Sequence, residues 1–100
     1  MKKLLIVFCV ALLFIACGDV SGKYHVNYYS NGAKSGYPPT DNNEYTTGSY
    51  AIVLGKNTLT KDGYEFGGWN TRQDYSGEYY KVGDKIEIKN FNVFLHAVWN

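Results

Sequence analysis

The chain has 100 residues and a formal net charge of +1, with ten Lys and Arg residues spread among nine acidic ones. This length suits one small domain, and the scattered charges form no basic patch, which argues against a nucleic-acid-binding surface. Of the two cysteines, Cys9 lies in an N-terminal apolar run, so the rest of the chain has no pair for a disulfide.

The N-terminal residues follow the pattern of a secretory signal peptide. Lys2 and Lys3 precede an unbroken apolar run over residues 4–16, and polar residues follow that run at once. A helix that crosses about 30 Å of hydrocarbon needs roughly 20 apolar residues, which is more than this run supplies. The sequence therefore predicts a signal peptide over residues 1–16 that is removed, rather than a retained membrane span.

Cleavage is predicted between Ala16 and Cys17. Residues 14–17 read Phe-Ile-Ala-Cys and resemble the lipobox of bacterial lipoproteins, with Phe14 where the commonest pattern has Leu. The resemblance implies that Cys17 carries fatty-acyl chains such as palmitate and anchors the mature chain to a membrane of the cell envelope, at the outer membrane or cell surface. The alternative is an ordinary secretory signal cleaved near Ala16, which leaves Cys17 as a free thiol.

The remainder of the chain predicts a short tether and one mainly β domain. Residues 17–23 are small and polar, a composition typical of a flexible tether. From residue 24 to residue 100, helix signals are scarce, whereas tyrosine and β-branched residues are frequent and Gly or Asn occurs at the breaks. The predicted strands, in chain order, are 24–28, 50–54, 64–69, 85–89 and 93–99. Both alternating sets of the last strand are apolar, which predicts a central position in the sheet.

Three blocks of this domain occur in a recognisable order. Residues 24–32 read YHVNYYSNG, residues 59–71 read LTKDGYEFGGWNT, and residues 93–99 read VFLHAVW. The most specific parts are 61–69 and 97–99. Together, over 24–100, they resemble the internalin-type B-repeat, also called the Listeria/Bacteroides repeat. The resemblance implies a small β-grasp-like mixed sheet with little helix, as found on bacterial surface proteins. The chain carries one copy, which argues against a stalk. His25 and Tyr29 stand where the family often has smaller or more apolar residues, which suggests altered packing or an exposed aromatic.

Aromatic residues supply both the predicted core and the predicted binding surface. Four side chains are predicted core anchors: Tyr64, Phe66, Trp69 and Trp99. Four side chains of the polar segment after the third strand form the candidate binding surface: Tyr75, Tyr79, Tyr80 and Arg72. A loop tyrosine offers rigid contact area with a polar tip. The alternative is that one or two of these tyrosines pack beneath the loop and the others are incidental.

Nothing in the sequence points to catalysis or to a cofactor. The chain lacks the Gly-x-Ser-x-Gly and His-Glu-x-x-His motifs, and His25 and His96 have no acidic or cysteine partner at metal-ligand spacing. We therefore expect no enzyme, no cofactor and no metal. The expected function is a lipid-anchored envelope protein that binds an envelope or host surface protein through loops or an exposed strand edge. The alternatives are a carbohydrate-binding module that uses the loop tyrosines and a spacer without a ligand.

Overall fold

The computed structural model describes residues 22–100, so the predicted signal peptide, the lipidation site and most of the predicted tether lie outside the described residues. Within this range the strands are β1 (Val26–Tyr29), β2 (Tyr50–Ile52), β3 (Phe66–Asn70), β4 (Tyr79–Tyr80), β5 (Lys85–Glu87) and β6 (Val93–Trp99). The same range contains no helix that is long and apolar enough to cross a membrane. The predicted mainly β class is confirmed.

The strands form two sheets. The larger has the order β1-β6-β3-β4, in which β1 runs parallel to β6 and the other neighbours are antiparallel. The smaller is an antiparallel pair of β2 and β5. The longest strand, β6, is central in the larger sheet, as its sequence predicts, and the mixed sheet agrees with the predicted fold class.

The hydrophobic core is shared by the two sheets. Trp69 of β3 is fully buried, and its ring meets those of Tyr28 and Phe66 edge to face at centroid distances of 4.8 and 5.1 Å. Its indole Nε1–H donates a 2.8 Å hydrogen bond to the carbonyl oxygen of Leu54, just after β2. Trp99 is also buried, and Phe66 is half-buried against the core. The other fully buried side chains with the largest volumes are Leu59, Ile88, Leu95, Val26 and Val53.

The prediction that Tyr64 anchors the core is wrong, since this side chain is 51% exposed. Tyr64 still belongs to the turn before β3, because its N–H donates to the carbonyl oxygen of Lys61 and the intervening Gly63 has a positive φ of 78°. The strand begins two residues later at Phe66. The Tyr64 ring lies outside the core beneath the Lys61 ammonium, 4.5 Å from the ring centroid.

The loop that follows β1 runs beside the outer edge of this strand. Tyr24 and Tyr45 exchange two backbone hydrogen bonds of 2.8 Å, which hold the end of this loop beside the start of β1. The segment 38–41 lines a narrow groove along the same strand, and Val26 and Tyr28 are buried. This loop therefore lies beside the outer edge of β1 and is paired with the chain at Tyr24, just before the strand.

Candidate functional site

The polar segment between β3 and β4 is an ordered loop built on Asn70, a buried polar residue at the end of β3. Its side-chain oxygen accepts hydrogen bonds from the backbone N–H groups of Arg72 at 2.9 Å and Gly77 at 3.0 Å. Its amide nitrogen donates to the carbonyl oxygen of Tyr75 at 3.3 Å. One buried amide thus fixes the backbone at three points of the loop.

The tip of this loop is a local turn centred on Asp74. The Asp74 carboxylate accepts hydrogen bonds from the hydroxyl of Ser76 at 2.6 Å and from its backbone N–H at 3.0 Å. The hydroxyl bond first, and then the backbone bond, lower the pKa of Asp74 below its ordinary value. Tyr75, between these two residues, has a positive φ of 67°, so its side chain leaves the turn in a direction that ordinary loop backbone would not give.

Two of the loop tyrosines brace a bulge in β3. The register between β3 and β6 shifts at Gly67 and Gly68, where the regular ladder is interrupted. The hydroxyl of Tyr79 donates to the carbonyl oxygen of Gly67. The backbone N–H of Trp99, on the opposite strand, donates to the hydroxyl oxygen of Tyr75 at 2.8 Å. Both tyrosines therefore supply hydrogen bonds to backbone groups at the bulge, which is a structural role.

Tyr80 lies on the opposite face of β4 from Tyr79, because successive side chains of a strand alternate. Its ring packs against the core, and its hydroxyl donates to a carboxylate oxygen of Glu78 at 2.7 Å. Burial first, and then the hydrogen bond and negative charge of Glu78, raise the pKa of Tyr80 to about 12. The three predicted binding tyrosines thus do not share one surface, and each hydroxyl has a partner within the domain.

Removing the hydroxyl of Tyr75 or Tyr79 tests the bracing of the bulge. We expect Tyr75→Phe and Tyr79→Phe each to lower the free energy of unfolding by about 1 kcal/mol, because a backbone group loses its hydrogen-bond partner. Urea denaturation measures this change. Tyr64→Phe is the matched control, since this tyrosine is half exposed and its contact with the Lys61 ammonium is made by the ring face. Equal midpoints for all three variants would show that the bulge does not need the tyrosines.

An exposed group of aromatic side chains lies elsewhere, on the outer face of the larger sheet. Parallel pairing of β1 with β6 places Tyr29 opposite His96, with ring centroids 5.2 Å apart and planes 21° from parallel. The Phe94 ring lies 6.2 Å from Tyr29, also nearly parallel. Tyr29 and Phe94 are 42% and 46% exposed. We call Tyr29, Phe94 and His96 the aromatic row.

The loop built on Asn70 borders the aromatic row. A shallow groove beside it is lined by Phe94 and His96 together with four loop residues: Thr71, Arg72, Gln73 and Asp74. Arg72 is therefore the predicted site residue that the structure places beside the row. Sequence reasoning missed Phe94 as a surface residue, and the available signal was the aromatic character of the second alternating set of β6.

The two histidines lie at different places on the sheet. His25 precedes β1, and its backbone N–H donates to the side-chain oxygen of Asn92 at 2.8 Å, whereas His96 stacks on Tyr29. Across the part of the chain that the structure describes, no three His, Cys, Asp or Glu side chains converge as a metal site would require. The surface chemistry of the site is instead that of stacked rings beside one guanidinium, one amide and one carboxylate.

The sequence of this domain is similar to those of known proteins. The family model of the Listeria-Bacteroides repeat domain matches residues 24–98. A protein of Evansella cellulosilytica named "Putative Gly-rich membrane protein" is 41% identical over 78 residues, which cover 77% of this chain and 9% of the relative. A second protein of that organism, named "Putative membrane protein", is 36% identical over 76 residues, which cover 76% of this chain and 11% of the relative.

The chain therefore spans about a tenth of the length of the curated relatives it matches. No solved structure matches it significantly. The names of the relatives fit a repeat module of a membrane-associated or envelope protein. The match to three quarters of the sequence shows that the chain belongs to the Listeria-Bacteroides repeat domain family.

Proposed function

We propose that this chain is a lipid-anchored, non-catalytic protein of the cell envelope, held through Cys17 at the outer membrane or cell surface, whose repeat domain binds a second protein there. The signal-like N-terminus and the Ala16-Cys17 junction support the anchor. The membrane-protein names of the relatives agree with this location. The observation that carries the binding function is the aromatic row.

The aromatic row has the composition and rigidity of a protein-binding surface. Tyrosine and phenylalanine are enriched at protein interfaces, and tyrosine and arginine are frequent among the residues that dominate binding energy. Tyr29 and Phe94 stand on paired strands, so little side-chain or backbone ordering is needed when a partner binds. Arg72 adds a charged donor at the edge of the same surface.

A carbohydrate-binding module is the second candidate, because the groove beside the row favours it. Aromatic rings there adjoin the planar polar side chains of Arg72, Gln73 and Asp74, which can form hydrogen bonds with sugar hydroxyls. The loop tyrosines offer less support for this candidate, since their hydroxyls already have partners within the domain.

Site-specific photo-crosslinking tests the protein-binding proposal. A photoreactive phenylalanine analogue replaces Phe94 in the aromatic row or, as a matched control, Tyr64, which has similar exposure at a different place on the surface. We expect irradiated cells to yield a discrete protein adduct from position 94 and none from position 64. If instead the wild type binds a glycan array and Phe94→Ser and Tyr29→Ser each abolish that binding, the domain is a carbohydrate-binding module. Absence of both the protein adduct and the glycan signal would contradict a binding function and favour a spacer without a ligand.

A further inference from the structure

The end of the domain where the chain enters from the tether carries one strongly exposed phenylalanine, Phe91, which is 63% exposed. Because β1 and β6 are parallel, their first residues Val26 and Val93 are partners, so the entry of the chain lies beside the loop before β6. The N–H of Val93 donates to the carbonyl oxygen of His25 at 2.9 Å, and Asn92 accepts from the N–H of His25.

A third segment joins this end of the domain. The hydroxyl of Thr47 lies 2.9 Å from the carbonyl oxygen of Lys89 and 2.9 Å from the side-chain oxygen of Asn90. The backbone pair of Tyr24 and Tyr45 brings the same loop to the start of β1. We call residues 23–25, 44–47 and 89–92 together the tether end. Phe91 is thus held at a fixed place on this end.

The length of chain before the domain limits how far the tether end can lie from a lipid at Cys17. Residues 17–23 number seven, and at about 3.3 to 3.6 Å per residue they reach at most about 25 Å in any conformation. The far end of the domain is marked by Asn100, which exchanges backbone hydrogen bonds with Glu65, next to Tyr64. The seven residues of β6 separate the two ends by roughly 20 Å at about 3.3 Å per residue.

The charges at the tether end indicate which kind of membrane contact it can make. Lys23 pairs with Glu44 at 3.5 Å, and Lys89 pairs at 3.6 Å with Glu87, the last residue of β5, which adjoins this end. These pairs leave little net charge to attract an anionic membrane. Phe91 is an aromatic side chain of the kind that inserts into the interfacial region of a bilayer. The chemistry therefore favours apolar insertion that needs no anionic lipid.

From this juxtaposition we propose that Phe91 inserts into the lipid interface beside the acylated Cys17 and holds the domain with its tether end against the membrane. The inference rests on the proposed lipid anchor. In this orientation β6 points away from the bilayer, and the paired residues Tyr29 and His96 lie farther from the tether end than Phe94 does.

Fluorescence quenching tests the insertion with the mature lipidated protein in vesicles of phosphatidylcholine whose acyl chains carry bromine. Trp69 and Trp99 are buried and give a constant background. We expect brominated lipid to quench the fluorescence of Phe91→Trp at least about twofold more than that of wild type, because the added tryptophan lies in the lipid. This quenching should be equal at low and high salt. Tyr64→Trp, at the far end, is the matched control and is expected to match wild type.

A second pair of variants covers the case in which a new tryptophan disturbs the loop. The mature domain has no cysteine besides Cys17, so Phe91→Cys and Tyr64→Cys accept an environment-sensitive dye at one position each. Brighter emission from position 91 than from position 64 supports insertion. Equal signals from vesicle-bound protein would overturn the insertion and leave the anchor intact, whereas wild type that fails to float with the vesicles would overturn the anchor itself.

Discussion

Trp69→Ala is expected to lower the free energy of unfolding by about 3 to 5 kcal/mol, the range found when a buried tryptophan is truncated. Trp69 is fully buried, and its ring lies against Tyr28 and Phe66. Small domains are stable by only about 5 to 15 kcal/mol, and this one has no disulfide to add to its core. The variant should therefore be largely unfolded well below the melting temperature of the wild type.

Two further variants show which part of this effect belongs to packing and which to hydrogen bonding. Trp69→Phe keeps a ring in the core but leaves the carbonyl oxygen of Leu54 without its donor, so its loss should be intermediate. Tyr64→Ala removes an aromatic ring that is half exposed and should cost within about 1 kcal/mol. Thermal and urea melts compare all three variants, and a Trp69→Ala melt as stable as that of Tyr64→Ala would refute the core assignment.

Cys17→Ala is expected to move the protein from the detergent phase to the aqueous phase in detergent partitioning. A buried methylene contributes about 0.8 kcal/mol of membrane affinity, so the loss of even one palmitoyl chain outweighs what a single phenylalanine at position 91 contributes. The substitution also removes the residue at which the predicted cleavage occurs, and a precursor that keeps the apolar residues 4–16 would itself enter the detergent phase. Intact mass therefore identifies the cleaved chain, to which the expected shift applies.

Cys9→Ala is the matched control for this substitution, because Cys9 lies within the predicted signal peptide and is absent from the predicted mature protein. It should partition as the wild type does. If wild type and Cys17→Ala both remain in the aqueous phase, the ordinary secretory signal is the correct alternative and the anchor is wrong.

The strands were predictable from the sequence where side chains alternate between core and solvent. Val26 and Tyr28 in β1 and Ile86 and Ile88 around β5 have the spacing of two residues that a half-buried strand requires, and all four are buried. The prediction for Tyr64 was wrong because this residue lies two positions before Phe66 and so extends the apolar alternation of β3. The positive φ of Gly63 and the hydrogen bond to Lys61 keep Tyr64 in a turn instead. Local hydrogen bonding thus overrode the apolar pattern.

The candidate site was less predictable, because its determinants are distant in sequence. The hydrogen bond from Trp99 to Tyr75 joins residues 24 positions apart, and no local pattern indicates it. The aromatic row depends on which face of β6 another element covers. The second alternating set of β6 is buried at Val98 but exposed at Phe94, and the apolar pattern of the strand does not distinguish these two positions.

Intact-mass measurement of the mature protein, extracted from membranes with detergent, tests the central claim of a lipid-anchored repeat domain most directly. The account predicts a chain that begins at Cys17 and carries the added mass of fatty-acyl chains, recovered with the membrane fraction. An unmodified chain in the culture supernatant, beginning at a residue other than Cys17, would contradict it.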